Sequence, residues 1–182
     1  MKQFFDEFYE NYHQDLFQFI MYMVKDRSLA EDLVQDVYVK VLKSYDSFSG
    51  KSTEKTWLFS IARHVIFDYF RKQKRKRNRI LGFFDWHDKG DELKDQHPVP
   101  EELIVQNEEI QQVYDALDHC SVNQRSVLVL RYIQELTIKE TAEVTGWSES
   151  KVKTTQHRAI RTIKALMENQ EEGSGNHEET KK

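Results

Sequence analysis

Lys151, Lys153, Thr154, His157, Arg158, Arg161 and Lys164 recur at short intervals in the segment SESKVKTTQHRAIRTIKAL. Projected at about 100° per residue, they fall on one side of a helix. Val152, Ala159, Ile160, Ile163, Leu166 and Met167 fall on the other side. A cationic stripe carrying hydroxyls and an imidazole suits a polyanion, because cations meet phosphates and short polar side chains reach base edges. An ordinary solvated basic face is the alternative, and the preceding residues weaken it. Thr137 and Glu140 form a capping box for a short helix bearing Ile138, Ala142 and Val144. Gly146 ends that helix, and Ser148 caps the next after the turn Gly146-Trp147-Ser148. This is helix-turn-helix spacing. It directs Ser150, Lys151, Lys153, Thr154 and His157 at base edges, with Ser148 beside them and Arg158 and Arg161 placed for phosphates.

A second concentration of chemistry lies upstream. Trp57, Leu58, Ile61, Ala62, Val65 and Tyr69 share one side of a predicted helix, and Phe59, Arg63, Phe67, Phe70 and Arg71 share another. Aromatics interleaved with arginines suit a single nucleic-acid strand: bases stack on rings for about 1–3 kcal/mol each while cations follow the backbone. Core packing is an equal account of Phe59 and Phe67, since a helix apolar on both sides is buried. The run RKQKRKRNR at 71–79 is harder to ascribe to packing, because like charges three and four residues apart repel. Binding through it is expected to be steeply salt-dependent.

The third concentration has the opposite sign. Glu31, Asp32, Gln35 and Asp36 cluster on the outer arc of a helix predicted over 28–45. Ser28 and Glu31 fit a capping box there, and Leu29, Leu33, Val37 and Val41, with Val34 and Tyr38, form the inner face. An acidic arc beside a DNA-binding helix repels DNA and should face a protein. A solvated helix start, whose acids favour the macrodipole, is the even alternative.

Helices must hold these faces, and a chain of 182 residues with two prolines and six glycines supplies them. Phe5, Phe8, Tyr12, Leu16, Phe19, Ile20 and Met23 mark a first helix, and residues 46–56 read as a loop. Periodicity fails over 82–100, which holds Gly82, Gly90, Pro98 and Pro100 and reads as a linker. Its aromatics Phe83, Phe84 and Trp86 are expected to dock on a domain. Helical pattern resumes over 101–119, and Ser121 with Gln124 caps a further helix to about Gln134. The last helix is predicted to end near Met167, followed by a disordered polar tail. The expected fold is all-α: two small helical domains joined by a flexible linker, the second containing the helix-turn-helix. The boundaries are 1–80, 81–103 (linker), 104–168 and 169–182 (tail).

The formal net charge of −4 is an average over segregated charges. Cys120 is the only cysteine, so no intramolecular disulfide or multi-thiolate zinc site is available, and a small core residue is expected. The N-terminal segment lacks the regions of a signal peptide, and no apolar run approaches the roughly 18 residues of a membrane span. A cytoplasmic protein is expected. The seven histidines show no HExxH spacing, and neither a Gly-rich phosphate loop nor GxSxG occurs. His64, His119 and His157 stand singly on helices. No catalytic residue, metal, cofactor or small-molecule substrate is expected.

Together, AEDLVQDVYVKVLKSY, TWLFSIARHVIFDYFRKQKR, the acidic linker and the C-terminal helix-turn-helix resemble the sigma-70 family. With two domains only, the chain is similar to the extracytoplasmic-function subgroup, and SIARHV, SESKVKTTQHR and the linker FDW are closest to the sigma-X type. The resemblance spans roughly residues 5–168. It implies that Glu31, Asp32, Gln35, Asp36 and Val39 contact the β′ coiled coil of core RNA polymerase. It implies that Lys55, Trp57, Phe59, Arg63, Phe67, Phe70, Arg71, Lys72 and Arg75 melt and hold the −10 element of promoter DNA. Ser148, Ser150, Lys151, Lys153, Thr154, His157, Arg158 and Arg161 would read the −35 element, and the second domain would touch the β flap. A membrane-anchored anti-sigma factor is the implied restraint, sequestering the protein at the membrane. A flexible linker leaves the two domains unpositioned in the free protein, so binding to isolated promoter DNA should be weak. A stand-alone helix-turn-helix regulator is the alternative, but it leaves the acidic arc and the basic-aromatic helix without a task.

Overall fold

The computed structural model describes residues 2–81 and 114–175; helices dominate, and no strand occurs among the described residues. The linker aromatics Phe83, Phe84 and Trp86, the rest of 82–113, and 176–182 lie outside them.

Helix α1 (Lys2–Val24) stops where Lys25 turns left-handed, at φ 56°. Asp26 is extended and caps α2 (Arg27–Ser44), its carboxylate accepting the Leu29 N–H at 2.8 Å. The cap is therefore Asp26 and not Ser28. The left-handed residue shortens the link, so α2 begins earlier, and Glu31 pairs instead with Arg27 at 2.9 Å. A tight turn, Tyr45–Ser47, follows. Helix α3 (Glu54–Leu81) also begins earlier than the predicted Trp57, because the Thr53 hydroxyl accepts the Thr56 N–H at 3.1 Å. The basic run 71–79 lies within α3.

Of the helix predicted over 101–119, the described part is a helical turn at 114–116 and a tight turn, Leu117–His119. Ser121 and Gln124 form the expected capping box of α4 (Val122–Leu128). The chain widens over Val129–Ile133, where the Gln134 N–H reaches back five residues to the Val129 carbonyl at 2.9 Å. Helix α5 (Ile138–Thr145) carries the Thr137–Glu140 box. Helix α6 (Glu149–Gly175) runs past the predicted end at Met167. The residues just past Met167, ENQEE, are mostly Glu and Gln, which lose little rotamer freedom in a helix, so no breaker meets the chain before Gly173.

Phe8, Leu16, Phe19 and Ile20 of α1, Val37 and Val41 of α2, and Leu58, Phe59 and Ile66 of α3 form the first core, each at most 1% exposed. Each such side chain contributes about 1.5–3 kcal/mol of burial. A smaller cluster of Val127, Ala142 and Val152, flanked by Ile138 and Trp147, fixes the angle between α5 and α6. Cys120 is buried, as expected of a core residue.

The two halves pack against each other, which corrects the expectation of unpositioned domains. Helix α3 lies against α5, and α1 meets α4 and the wide turn behind it. Two buried cations stitch the joint. Lys25 Nζ lies 2.6 Å from the Asp118 carboxylate and donates to the Tyr114 carbonyl at 2.8 Å. Arg125 donates to the carbonyls of Leu117 at 3.1 Å and Met23 at 3.0 Å, and also meets Asp118. Neither cation stands out in the sequence, because their partners lie 89 and 102 residues away.

Candidate nucleic-acid interface

The helix-turn-helix is built by backbone hydrogen bonds that its residues dictate. Gly146 adopts φ 68°, ψ 25° at the end of α5. The Trp147 N–H then reaches the Ala142 carbonyl at 3.1 Å and the Gly146 N–H the Glu143 carbonyl at 3.4 Å, closing a Schellman turn. A Cβ on Gly146 would meet nothing, so its conformation and not space demands glycine there. Ser148 Oγ accepts the Lys151 N–H at 3.3 Å and starts α6. With Val152 at 0% exposure facing the small core, the opposite face is committed to solvent.

That face gathers all the side chains read from the sequence: Ser148, Ser150, Lys151, Lys153, Thr154, His157, Arg158 and Arg161 are exposed. Thr154 spends its hydroxyl hydrogen on the Ser150 carbonyl at 2.9 Å, leaving its oxygen as an acceptor. Lys151 Nζ sits 4.2 Å from the centre of the Trp147 ring. Arg158 and Arg161 line a groove with Gln124, Thr162 and Lys164. Gln156 bonds Arg131 at 3.1 Å and the Tyr132 hydroxyl at 2.9 Å, tying α6 to the turn after α4. The surface can neutralise a phosphate backbone along one helix while its first turns enter a groove.

On α3 the predicted residues divide. Phe59 is 0% exposed and packs edge-on against Phe19, ring centres 5.1 Å apart. It belongs to the core, and its placement among DNA contacts is corrected: a base has no path to it. Trp57 is half-buried, packed on Phe48 with ring centres 4.8 Å apart, and anchors the loop before α3. Lys55 pairs with Asp15 at 2.8 Å. Phe67 and Phe70 are half-exposed; Arg71, Lys72 and Arg75 are exposed, with Arg71 paired to Asp68. Phe67, Phe70, Arg71 and Lys74 line one wall of a cavity of about 390 Å³, and 118–123 line the other.

Arg63 is 9% exposed, which its place in a polar-aromatic arc does not foretell. Its guanidinium lies 4.0 Å from the centre of the Phe67 ring and 5.2 Å from that of Trp147 in the other half. One terminal nitrogen reaches Asn123 Oδ1 at 3.4 Å, and Nε has no partner. Burial pulls its pKa down to about 10, so it stays charged near neutrality.

On α2, Glu31, Asp32, Gln35, Asp36 and Val39 are exposed. Val39 and Leu42 are each 48% exposed, so the arc is apolar as well as acidic. Leu42 was legible three residues beyond Val39 on the same arc. Beside it, His13 stacks between Tyr9 and Tyr38, and burial lowers the His13 pKa. No cluster of metal-binding side chains and no helix long and apolar enough to cross a membrane occurs among the described residues.

Comparison with known proteins bears on these faces. Residues 8–76 match Sigma-70 region 2, and residues 110–163 match Sigma-70, region 4. The ECF RNA polymerase sigma factor SigX of Bacillus subtilis is 53% identical over 92% of this chain and 86% of its own length. RNA polymerase sigma factor YlaC of the same organism is 32% identical over 89% and 91%. The structure of the sigma factor RpoE in complex with the anti-sigma factor NepR from Bartonella quintana superposes with a TM-score of 0.66 at 25% identity, covering 92% of this chain and 98% of that one. CnrH in complex with the cytosolic domain of CnrY gives a TM-score of 0.68 at 21% identity over 93% and 90%, a likeness of fold.

Proposed function

Because this chain belongs to the extracytoplasmic-function sigma factors of the sigma-70 family, we propose which of its surfaces carries each part of initiation. A sigma factor binds core RNA polymerase and directs promoter-specific transcription by recognising −35 and −10 elements and melting the −10 region. Its relatives are sigma factors and not stand-alone regulators.

In this reading residues 1–80 bind polymerase and the −10 element, 81–103 link, and 104–168 read the −35 element. The exposed row Ser148, Ser150, Lys151, Lys153, Thr154, His157, Arg158 and Arg161 on one capped helix is the observation that carries the assignment. Base edges fall to the first turns of α6, and phosphates to Arg158 and Arg161. On α3, Phe67 and Phe70 stack bases, Arg71, Lys72 and Arg75 follow the strand, and Lys55 and Trp57 hold the loop before it. Unstacking a base costs a few kcal/mol, which a stacking platform offsets. Glu31, Asp32, Gln35, Asp36 and Val39, joined by Leu42, dock on the β′ coiled coil. The second half touches the β flap. The chemistry of RNA synthesis stays with the polymerase, and this chain contributes no catalytic group, cofactor or small-molecule site. A membrane-anchored anti-sigma factor restrains it from the cytoplasmic side; the complex of RpoE with the anti-sigma factor NepR supports a protein inhibitor.

Transcription in vitro tests the reading: sigma-free core polymerase and this chain are supplied with a genomic fragment library. Reproducible start sites sharing two spaced elements are expected. Start sites no different from those of core polymerase alone would sink it.

A further inference from the structure

We propose that the free protein holds itself closed, its second half lying on the −10 face of its first, and that an ionic joint in which half-buried Asp118 bridges two buried cations is the latch. This rests on the assignment of α3 to the −10 strand.

Three observations carry it. First, the cover lies over the right surface. Trp147 of the helix-turn-helix stands over Arg63, Asn123 meets the same guanidinium, and Phe67 and Phe70 face 118–123 across the cavity. The loop residues Lys51, Ser52 and Thr53 face Thr137, Lys139 and Glu140 of the second half across a further cleft. A strand following α3 would have to pass where the second half sits. The −35 row on α6 remains exposed in this state, so closure masks one DNA surface and not the other.

Second, the joint is ionic. Lys25 is 2% exposed, and the Asp118 carboxylate is shared between it and Arg125. The Lys25 ammonium also lies 4.1 Å from the centre of the Tyr114 ring, which packs on Tyr22 with ring centres 5.3 Å apart. Removing the half-buried carboxylate leaves two buried cations uncompensated, and separating the halves returns Lys25 to water.

Third, the closed state carries costs that opening relieves. Arg63 is nine-tenths buried with an unpartnered Nε and no ion pair, and the buried Tyr114 hydroxyl is unpartnered as well. Opening offers Arg63 water or a phosphate. Closure is thus poised to yield when polymerase fixes the two halves apart.

The test places spin labels on exposed residues of the two rims, Lys51→Cys and Lys139→Cys, in the full chain. The wild-type background should give a short, narrow distance distribution; Asp118→Ala and Tyr114→Ala should give a longer, broader one with helicity retained. Binding of a fluorescent (dT)20 strand should tighten about tenfold in both variants, since apparent affinity scales with the open fraction. Asp6→Ala, an exposed residue with the same charge change as Asp118→Ala, controls for net charge. A long, broad distribution in the wild-type background overturns the proposal. So do unchanged distances in both variants, or an affinity in Asp118→Ala no greater than in Asp6→Ala. Transcription by the wild-type chain is run in parallel: its failure removes the sigma-factor assignment, whereas success with no opening removes the latch alone.

Discussion

Phe59 and Phe70 stand eleven positions apart on α3, one inside the core and one at its edge, and substitution separates the two roles. Phe59→Ala should destabilise the fold by about 3–5 kcal/mol, read as a fall in thermal midpoint, because it empties a site closed by Phe19. Phe70→Ala should leave the midpoint nearly unchanged and lower (dT)20 binding by polymerase-bound protein. Equal midpoints for both variants would contradict the core placement. Cys120 gives a second residue-scale expectation. Burial pushes its thiol up to about 11 from an ordinary value near 9. Because the folded state holds the proton more tightly, this group's contribution to stability is complete below pH 9 and is lost as pH rises through about 11. At pH 8.5, alkylation of the native thiol should be on the order of 100-fold slower than in denaturant. Equal rates would show that the thiol is not enclosed.

At the scale of elements, the proposed assignment divides the partners of α6 and α2 by charge. Lys153→Ala and Arg158→Ala remove exposed cations from successive turns of the proposed recognition face. Each should weaken −35-dependent transcription, by about 1–3 kcal/mol where the side chain reads a base and less where it meets a phosphate. Promoter strength unmoved in both variants would remove α6 from recognition. The double variant Asp32→Lys/Asp36→Lys reverses the α2 arc at exposed positions. It should lose co-purification with core polymerase while circular dichroism stays at the wild-type value, because neither carboxylate supports the core. Retained co-purification would move docking elsewhere. These elements were readable because local rules fix them: the capping boxes at Ser121 and Thr137 and the glycine turn at Gly146 need only neighbours within a few residues. The start of α2 escaped the same rules because Lys25 adopts a left-handed conformation that nothing in its own chemistry demands.

For the whole molecule, most of the buried apolar residues of the two halves join in one cluster, with the small cluster around Val127 beside it. Heating should therefore unfold the wild-type chain in a single transition seen alike by tryptophan fluorescence and by circular dichroism. Asp118→Ala should split it into two, since each half keeps its own core once the ionic joint is gone. Two transitions in the wild type would mean that the halves melt independently. Weak binding to isolated promoter DNA is still expected, because the closed packing covers the face proposed for the −10 strand.

The sequence by itself determined the helices, their caps, the helix-turn-helix and the segregation of charge, because spacing on a single helix decides which residues share a face. It also carried the family likeness, since those faces are what the motifs encode. Only the tertiary structure decided that Phe59 is core, that Arg63 lies under Trp147, and that Lys25, Asp118 and Arg125 meet. Those outcomes depend on elements brought together from distant parts of the chain, as between Arg63 and Asn123, 60 residues apart. Helical periodicity shows that a residue is on a face, but not what comes to lie against it.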